Sequence, residues 1–196
     1  MKKVLFLAVL AVASVMAYAQ PRAIGLRLGA FDGVSYQHSL GETNMIEIEA
    51  GWAVDGRTDF WEKIPGGTFH SRLWGQTVQL AATFDWIDPF GATFPGLDKG
   101  ELHWYLGAGA AGGYGWAAYG RYDYHVYGGR ADWGFVGACG RGGVEYDFWF
   151  PLQVSIDWRP TLGAGLYGYD DLDKKGVQAG FYWELTSLAI SARYLF

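Results

Sequence analysis

Alternation with a period of two recurs along this chain. In its last ten residues Leu188, Ile190, Ala192, Tyr194 and Phe196 alternate with Ser187, Ala189, Ser191, Arg193 and Leu195, one set apolar and mostly large, the other mostly small or polar. Successive side chains of a strand point to opposite faces, so this spacing predicts a strand between two different media. Residues 45–54 repeat it, with Ile46, Ile48, Ala50 and Trp52 opposing Glu47, Glu49 and Gly51; residues 152–158 set Leu152, Val154, Ile156 and Trp158 against Gln153, Ser155 and Asp157.

Eight such runs are present: 22–31, 34–40, 45–54, 73–86, 102–116, about 132–148, 152–158 and the closing segment. In the fourth, Trp74, Val78, Leu80, Ala82, Phe84 and Trp86 face away from Gly75, Thr77, Gln79, Ala81, Thr83 and Asp85. Asp32-Gly33 is a strong hairpin turn. Pro160, which has no N–H to donate, ends the seventh run. The connections after the second and sixth runs are tight, whereas 55–72, 117–131 and 161–184 read as long loops. Two connections fit this scheme poorly, Asp32-Gly33 being short for an outer loop and 87–100 long for an inner turn.

The sequence carries 30 Gly, 10 Trp, 13 Tyr and 12 Phe, far from an average soluble domain. No second helical-length apolar stretch follows the amino-terminal one, so a membrane crossing would be made by a closed sheet, which satisfies every backbone hydrogen bond in hydrocarbon. Lys2 and Lys3, an apolar stretch over 4–16 and Ala17-Tyr18-Ala19 make residues 1–19 an expected cleaved signal peptide, leaving 20–196 as one barrel domain. No Cys follows the cleavage point, which excludes a lipoprotein pattern. Removal of Lys2 and Lys3 leaves 13 basic against 20 acidic residues and moves the formal charge from −5 to −7, which argues against nucleic acid as a partner. Cys139 is the one cysteine, so no intrachain disulfide forms.

Alternation alone leaves open a soluble, lipocalin-like barrel with the charged face in water, and two features favour lipid outside. The polar face is mostly Gly, Ala, Ser and Thr with few charges, unlike a water-facing surface. Aromatic residues gather near both predicted rims, Trp52, Trp74, Trp116, Trp133 and Trp158 toward one, Trp86, Trp104, Trp149, Tyr194 and Phe196 toward the other, as membrane barrels arrange them. The inward face then holds Arg27, Glu47, Glu49, His103, Arg141, Glu145, Asp157, Arg159 and Arg193. An eight-stranded barrel is only wide enough for side chains to fill it, so these charges are expected to pair across the lumen.

The carboxyl-terminal Tyr194 and Phe196 resemble the last strand of Gram-negative outer-membrane barrels, the segment their assembly machinery recognises. The whole mature segment, with Asp157-Trp158-Arg159-Pro160 and Ala192-Arg193-Tyr194-Leu195-Phe196, resembles the small barrels of the OmpA transmembrane domain and OmpX group. The resemblance implies an all-β, eight-stranded, antiparallel up-and-down transmembrane barrel, porin-like in its integral placement in the outer membrane, with both termini in the periplasm. Its implied partners are outer-membrane lipid and lipopolysaccharide together with the barrel assembly machinery, and a monomer is expected. No peptidoglycan-binding domain follows the closing strand, so cell-wall anchoring is not carried over.

No residue set points to catalysis, a cofactor or a metal. Gly107-Ala108-Gly109-Ala110-Ala111-Gly112 matches a dinucleotide fingerprint in letters, but no helix follows to hold a pyrophosphate. His38-Ser39 beside Glu47 and Glu49 invites comparison with outer-membrane lipid A deacylases, although neighbours on a strand face opposite ways and the family's His-x-Ser-Asn pattern is absent. Asp170, Asp171 and Asp173 lack calcium-loop spacing. Trp61, Tyr119, Tyr122, Tyr124 and Tyr127 lie in expected outer loops, where they serve either recognition or packing above the barrel. The leading expectation is a non-enzymatic envelope protein acting through these loops. A lipid-modifying enzyme of the deacylase kind, or a narrow pore or ligand carrier, is the alternative.

Overall fold

The computed structural model describes residues 22–64, 67–91, 99–117, 120–122, 125–127, 131–171 and 174–196. The expected signal peptide lies outside the described residues. Twelve strands follow in order: β1 (Arg22–Gly29), β2 (Asp32–Ser39), β3 (Asn44–Ile64), β4 (Gly67–Pro89), β5 (Glu101–Ala117), β6 (Gly120–Tyr122), β7 (His125–Tyr127), β8 (Ala131–Asp147), β9 (Leu152–Trp158), β10 (Thr161–Asp171), β11 (Lys174–Glu184) and β12 (Leu188–Leu195).

These strands close an antiparallel barrel of eight staves. Consecutive hairpins join β1 to β2, β3, β4 and β5; β5 pairs with β8, β8 with β9, β9 with β12, and β12 returns to β1 with Ile24 opposite Tyr194. Arg22 and Phe196 exchange backbone hydrogen bonds of 3.2 and 2.9 Å, which seals the seam. Closure leaves no unpaired sheet edge around the circuit.

β9 and β10 form one stave along β8, interrupted only at Arg159-Pro160, and β11 and β12 form the next. The span read from sequence as a long loop over 161–184 is therefore a hairpin, β10 against β11. Its alternation was present, with Leu162, Ala164 and Leu166 exposed and Thr161 and Gly165 buried. The ladder is interrupted at Arg159 and Pro160, but the Pro160 carbonyl still accepts from the Gly140 N–H at 3.0 Å, so the sheet resumes beyond it. The expected loop over 55–72 is likewise mostly strand, carried by β3 and β4 with a register shift between Ala53 and Gly56.

The wall is lower on one side. β1 and β2 have eight residues each, whereas β3 and β4 run for 21 and 23. Above the short hairpin β11 pairs directly with β3, Phe181 opposite Trp61 and Trp183 opposite Asp59. Among the described residues the upper wall is thus six strands: β3, β4, β5, β8, β10 and β11. The small β6–β7 hairpin attaches to the upper part of β4, with Ser71 opposite Tyr122.

The alternation resolves as apolar outside and polar inside. Leu26, Leu28, Leu80, Val136 and Leu188 are each more than 60% exposed, while Arg27, Glu47, Glu49, Arg141, Glu145, Asp157, Arg159 and Arg193 are each at most 5% exposed. A soluble barrel has the reverse arrangement. One belt residue departs from the reading: Trp133 is buried and turns inward, lying over Gly115 on the neighbouring strand, so it belongs to the core and not to the rim. Trp52, Trp86, Trp104, Trp149, Trp158, Tyr194 and Phe196 are exposed on the outer face.

Candidate functional site

The lumen is occupied by one continuous lattice of charge, assembled from β1, β3, β4, β8, β9, β12 and the Arg159 joint. Arg27 places its two terminal nitrogens each 2.7 Å from an oxygen of Asp157, and Nη1 is also 3.1 Å from Glu49 Oε1. Glu49 pairs in turn with Arg159. Arg141 Nη1 lies 2.7 Å from Asp85 Oδ2, and its Nη2 lies 2.6 Å from Glu47 Oε2 and 3.7 Å from Asp157 Oδ2. Glu47 Oε1 also accepts from Arg193 Nη2 at 2.8 Å. The chain of contacts runs Arg159, Glu49, Arg27, Asp157, Arg141, Glu47, Arg193.

Neutral groups extend it, although Nε of Arg27, Arg141 and Arg159 and Oδ1 of Asp85 have no hydrogen-bond partner. Arg193 donates to Ser35 Oγ at 2.7 Å, to Ser155 Oγ at 2.8 Å and to Gln153 Oε1 at 3.2 Å. Gln37 donates to Glu47 at 2.7 Å and to Glu145 at 3.2 Å. Arg141 donates to the Tyr105 hydroxyl at 3.1 Å, and its guanidinium carbon lies 4.3 Å from that ring's centre, so the ring face and the hydroxyl both engage the cation. Buried charge is tolerated where geometry is good and the remaining donors and acceptors are filled.

Glycine makes the lattice possible. Gly107 stands opposite Asp85 on one side and Arg141 on the other, and a Cβ there would fall 1.9 Å from Asp85 Oδ1. The Asp85–Arg141 pair therefore reaches across a strand because that strand has no side chain at the crossing. This accounts for the glycine run that resembles a dinucleotide fingerprint: it sits in mid-strand, with no helix after it. Gly143 similarly lies between Tyr105 and Asp157, with the Tyr105 hydroxyl 2.6 Å from where its Cβ would be.

Sequence reasoning missed Asp85 as a network member, along with Gln37, Ser35, Gln153, Ser155 and Tyr105. Alternation had already put Asp85 on the polar face; buried acid on that face was the available signal. His103 sits lower in the lumen, its Nδ1 3.9 Å from Asp147 Oδ2. Cys139 is buried beside Ala81 and Ala111.

The remaining sequence candidates do not converge. His38 stacks on Tyr36, an outer-face neighbour, at 6.4 Å between ring centres, while Ser39 follows on the opposite face, so they form no acid-base pair. Tyr119 and Tyr124 lie outside the described residues, as does Asp173; Trp61, Tyr122 and Tyr127 fall on β3, β6 and β7. Asp170 and Asp171 stand opposite Lys175 and Lys174 in the β10–β11 register. A cavity of about 10 Å³ beside Arg27, Glu49, Gln79 and Arg159 has room for one water at most.

No family model and no curated protein matches the chain. Among solved structures it is similar in fold to a major outer membrane protein from Thermus thermophilus, with a TM-score of 0.51 over 91% of this chain and 100% of that one, at 14% identity.

Proposed function

We propose that the chain is a non-enzymatic integral protein of the outer membrane, akin to the OmpA transmembrane domain and OmpX group, that serves envelope integrity or surface interaction through its outer loops. The observation that carries this reading is the inside-out wall: large apolar side chains stand exposed all round the barrel while, among the described residues, nine arginine, aspartate and glutamate side chains are buried within it. Exposed apolar surface on this scale is unfavourable in water and favourable against lipid acyl chains. The fold shared with an outer membrane protein supports the same placement.

The filled lumen favours a scaffold over a pore. Arginine–carboxylate pairs cross the middle of the barrel, and opening a conducting path would require breaking several of them at once. His38 and Ser39 diverge, so this pair supplies no activated nucleophile. Tyr194 and Phe196 are exposed on β12 and at its end; lipid, lipopolysaccharide and the barrel assembly machinery are the proposed partners.

Fractionation and conductance test this together. The protein should stay with the outer-membrane fraction after an alkaline carbonate wash and give no discrete conductance steps in a planar bilayer. Release by carbonate would overturn the membrane placement, and regular open-channel steps would favour the pore. A change in lipid A acylation that depends on His38 or His103 would favour the enzyme.

A further inference from the structure

The lower end of the lumen holds a cluster that the charge lattice leaves unfinished. His103 on β5 stands opposite Glu145 on β8, and Glu101 stands opposite Asp147. One ligand atom each from His103, Glu145 and Asp147 lies within 4.8 Å of the others. Of the five buried carboxylates, Glu47, Glu49, Asp85 and Asp157 each touch an arginine. Glu145 is 2% exposed, yet its one hydrogen bond is from the Gln37 amide, and no cationic side chain among the described residues comes within ion-pair distance. Four guanidiniums thus face five carboxylates, and the unmatched one is Glu145. Arg193 and Arg141 act on it only from beyond contact distance, and burying a carboxylate without a contacting cation is costly.

Two more observations point into the same space. His103 Nδ1 and Asp147 Oδ1 are both buried without a hydrogen-bond partner. On the far side of the imidazole, Nε2 lies 3.6 Å from Glu101 Oε2. At that distance Glu101 makes no hydrogen bond to the ring, so the contact nitrogen on the cluster side is Nδ1, which faces Asp147.

We infer that His103, Glu145 and Asp147 form a binding site for a first-row divalent cation of the zinc class. One imidazole nitrogen with carboxylate oxygens suits Zn²⁺ or its neighbours better than Mg²⁺ or Ca²⁺, which take oxygen ligands. Bonds of ~2.0–2.1 Å in tetrahedral geometry put ligand atoms about 3.3 Å apart, so binding draws the three side chains inward by roughly 1 Å. Access is open, because the Asp147 side chain is 28% exposed and that of Glu101 81% exposed at the rim. The site depends on the barrel and not on where the barrel resides.

The test is titration of the untagged, refolded full barrel in detergent micelles with Co²⁺, read by its d–d absorption and competed with Zn²⁺. One equivalent should bind and be displaced by Zn²⁺; His103→Gln and Glu145→Gln should each weaken binding at least tenfold, and His38→Ala should not change it. Melting followed by circular dichroism establishes that each variant is folded. If Glu145→Gln does not fold, Asp147→Asn at the rim takes its place with the same expectation. Absence of saturable Co²⁺ binding, or binding undiminished in the His103 and carboxylate variants, would overturn the assignment.

Discussion

At the scale of single residues the lattice behaves as a set of paired charges with little slack. Asp157→Asn leaves the Arg27 guanidinium without its two-point partner and should cost about 3–5 kcal/mol in reversible urea unfolding from lipid vesicles. Replacing both partners, Arg27→Met with Asp157→Leu, should recover most of that loss, since apolar isosteres of a buried pair are often nearly neutral. A double variant as unstable as the single one would mean that the pair acts through more than mutual neutralisation. Alternation alone made the inward face legible, and with it Arg27, Glu47 and Arg193. It did not make the partners legible, because these depend on the stagger between strands far apart in sequence. Asp85 meets Arg141 across Gly107, and nothing near residue 85 in the chain announces residue 141.

At the scale of elements, aromatic rings on one strand lie over glycines on the next. Trp133 covers Gly115 so closely that a Cβ would meet the ring at 2.2 Å, whereas a Cβ at Gly134 has no neighbour nearer than 3.7 Å. Gly115→Ala should therefore destabilise the β5–β8 pair by about 1–3 kcal/mol through overpacking, and Gly134→Ala should be close to neutral, both read from urea midpoints. Equal effects would show that glycine is used there for something other than ring cover. Element existence was plain in the sequence for β1 to β5, β8, β9 and β12, whose apolar faces carry large side chains. β10 and β11 were read as loop because Pro160 precedes them, β10 turns Thr161 and Gly165 inward, and β11 turns the large ring of Tyr182 inward, so small and large residues do not sort by face. The closing strand carries a separate expectation: Phe196→Ser should lower the amount of folded protein in cells while leaving refolding into detergent unchanged. Loss of refolding in detergent as well would assign Phe196 a structural role instead of a recognition role.

At the scale of the molecule, the outer surface is where the proposed environment can be probed directly. Leu26 lies midway along β1, exposed on the outer face. Leu26→Arg should cost about 2–4 kcal/mol in bilayers, the cost of a cation near the lipid midplane. On a wall facing water the same change would fall within about 0.5 kcal/mol, as surface substitutions do. The measurement is the urea midpoint of wild type and variant in the same vesicles. The barrel class was legible from periodicity, glycine and aromatic content; the six-strand upper wall was not, because it follows from β1 and β2 stopping short while their neighbours continue.

The lattice also constrains the order in which the molecule can be built. Arg27 reaches Asp157 across 130 positions of sequence, Arg193 reaches Glu47 across 146 and Ser35 across 158. None of these contacts can exist in a half-zipped sheet, since each needs the seam between β1 and β12 or the wall on either side of it. A register slip by one residue would turn the same arginines toward the exterior. Closure is therefore proofread: an intermediate that mates its last strand wrongly keeps Arg27 from Asp157 and Arg193 from Glu47, and only the correct mating makes both pairs together. The charges that fill the barrel thus act in time as well as in space, delaying commitment until the first and last strands have met in register.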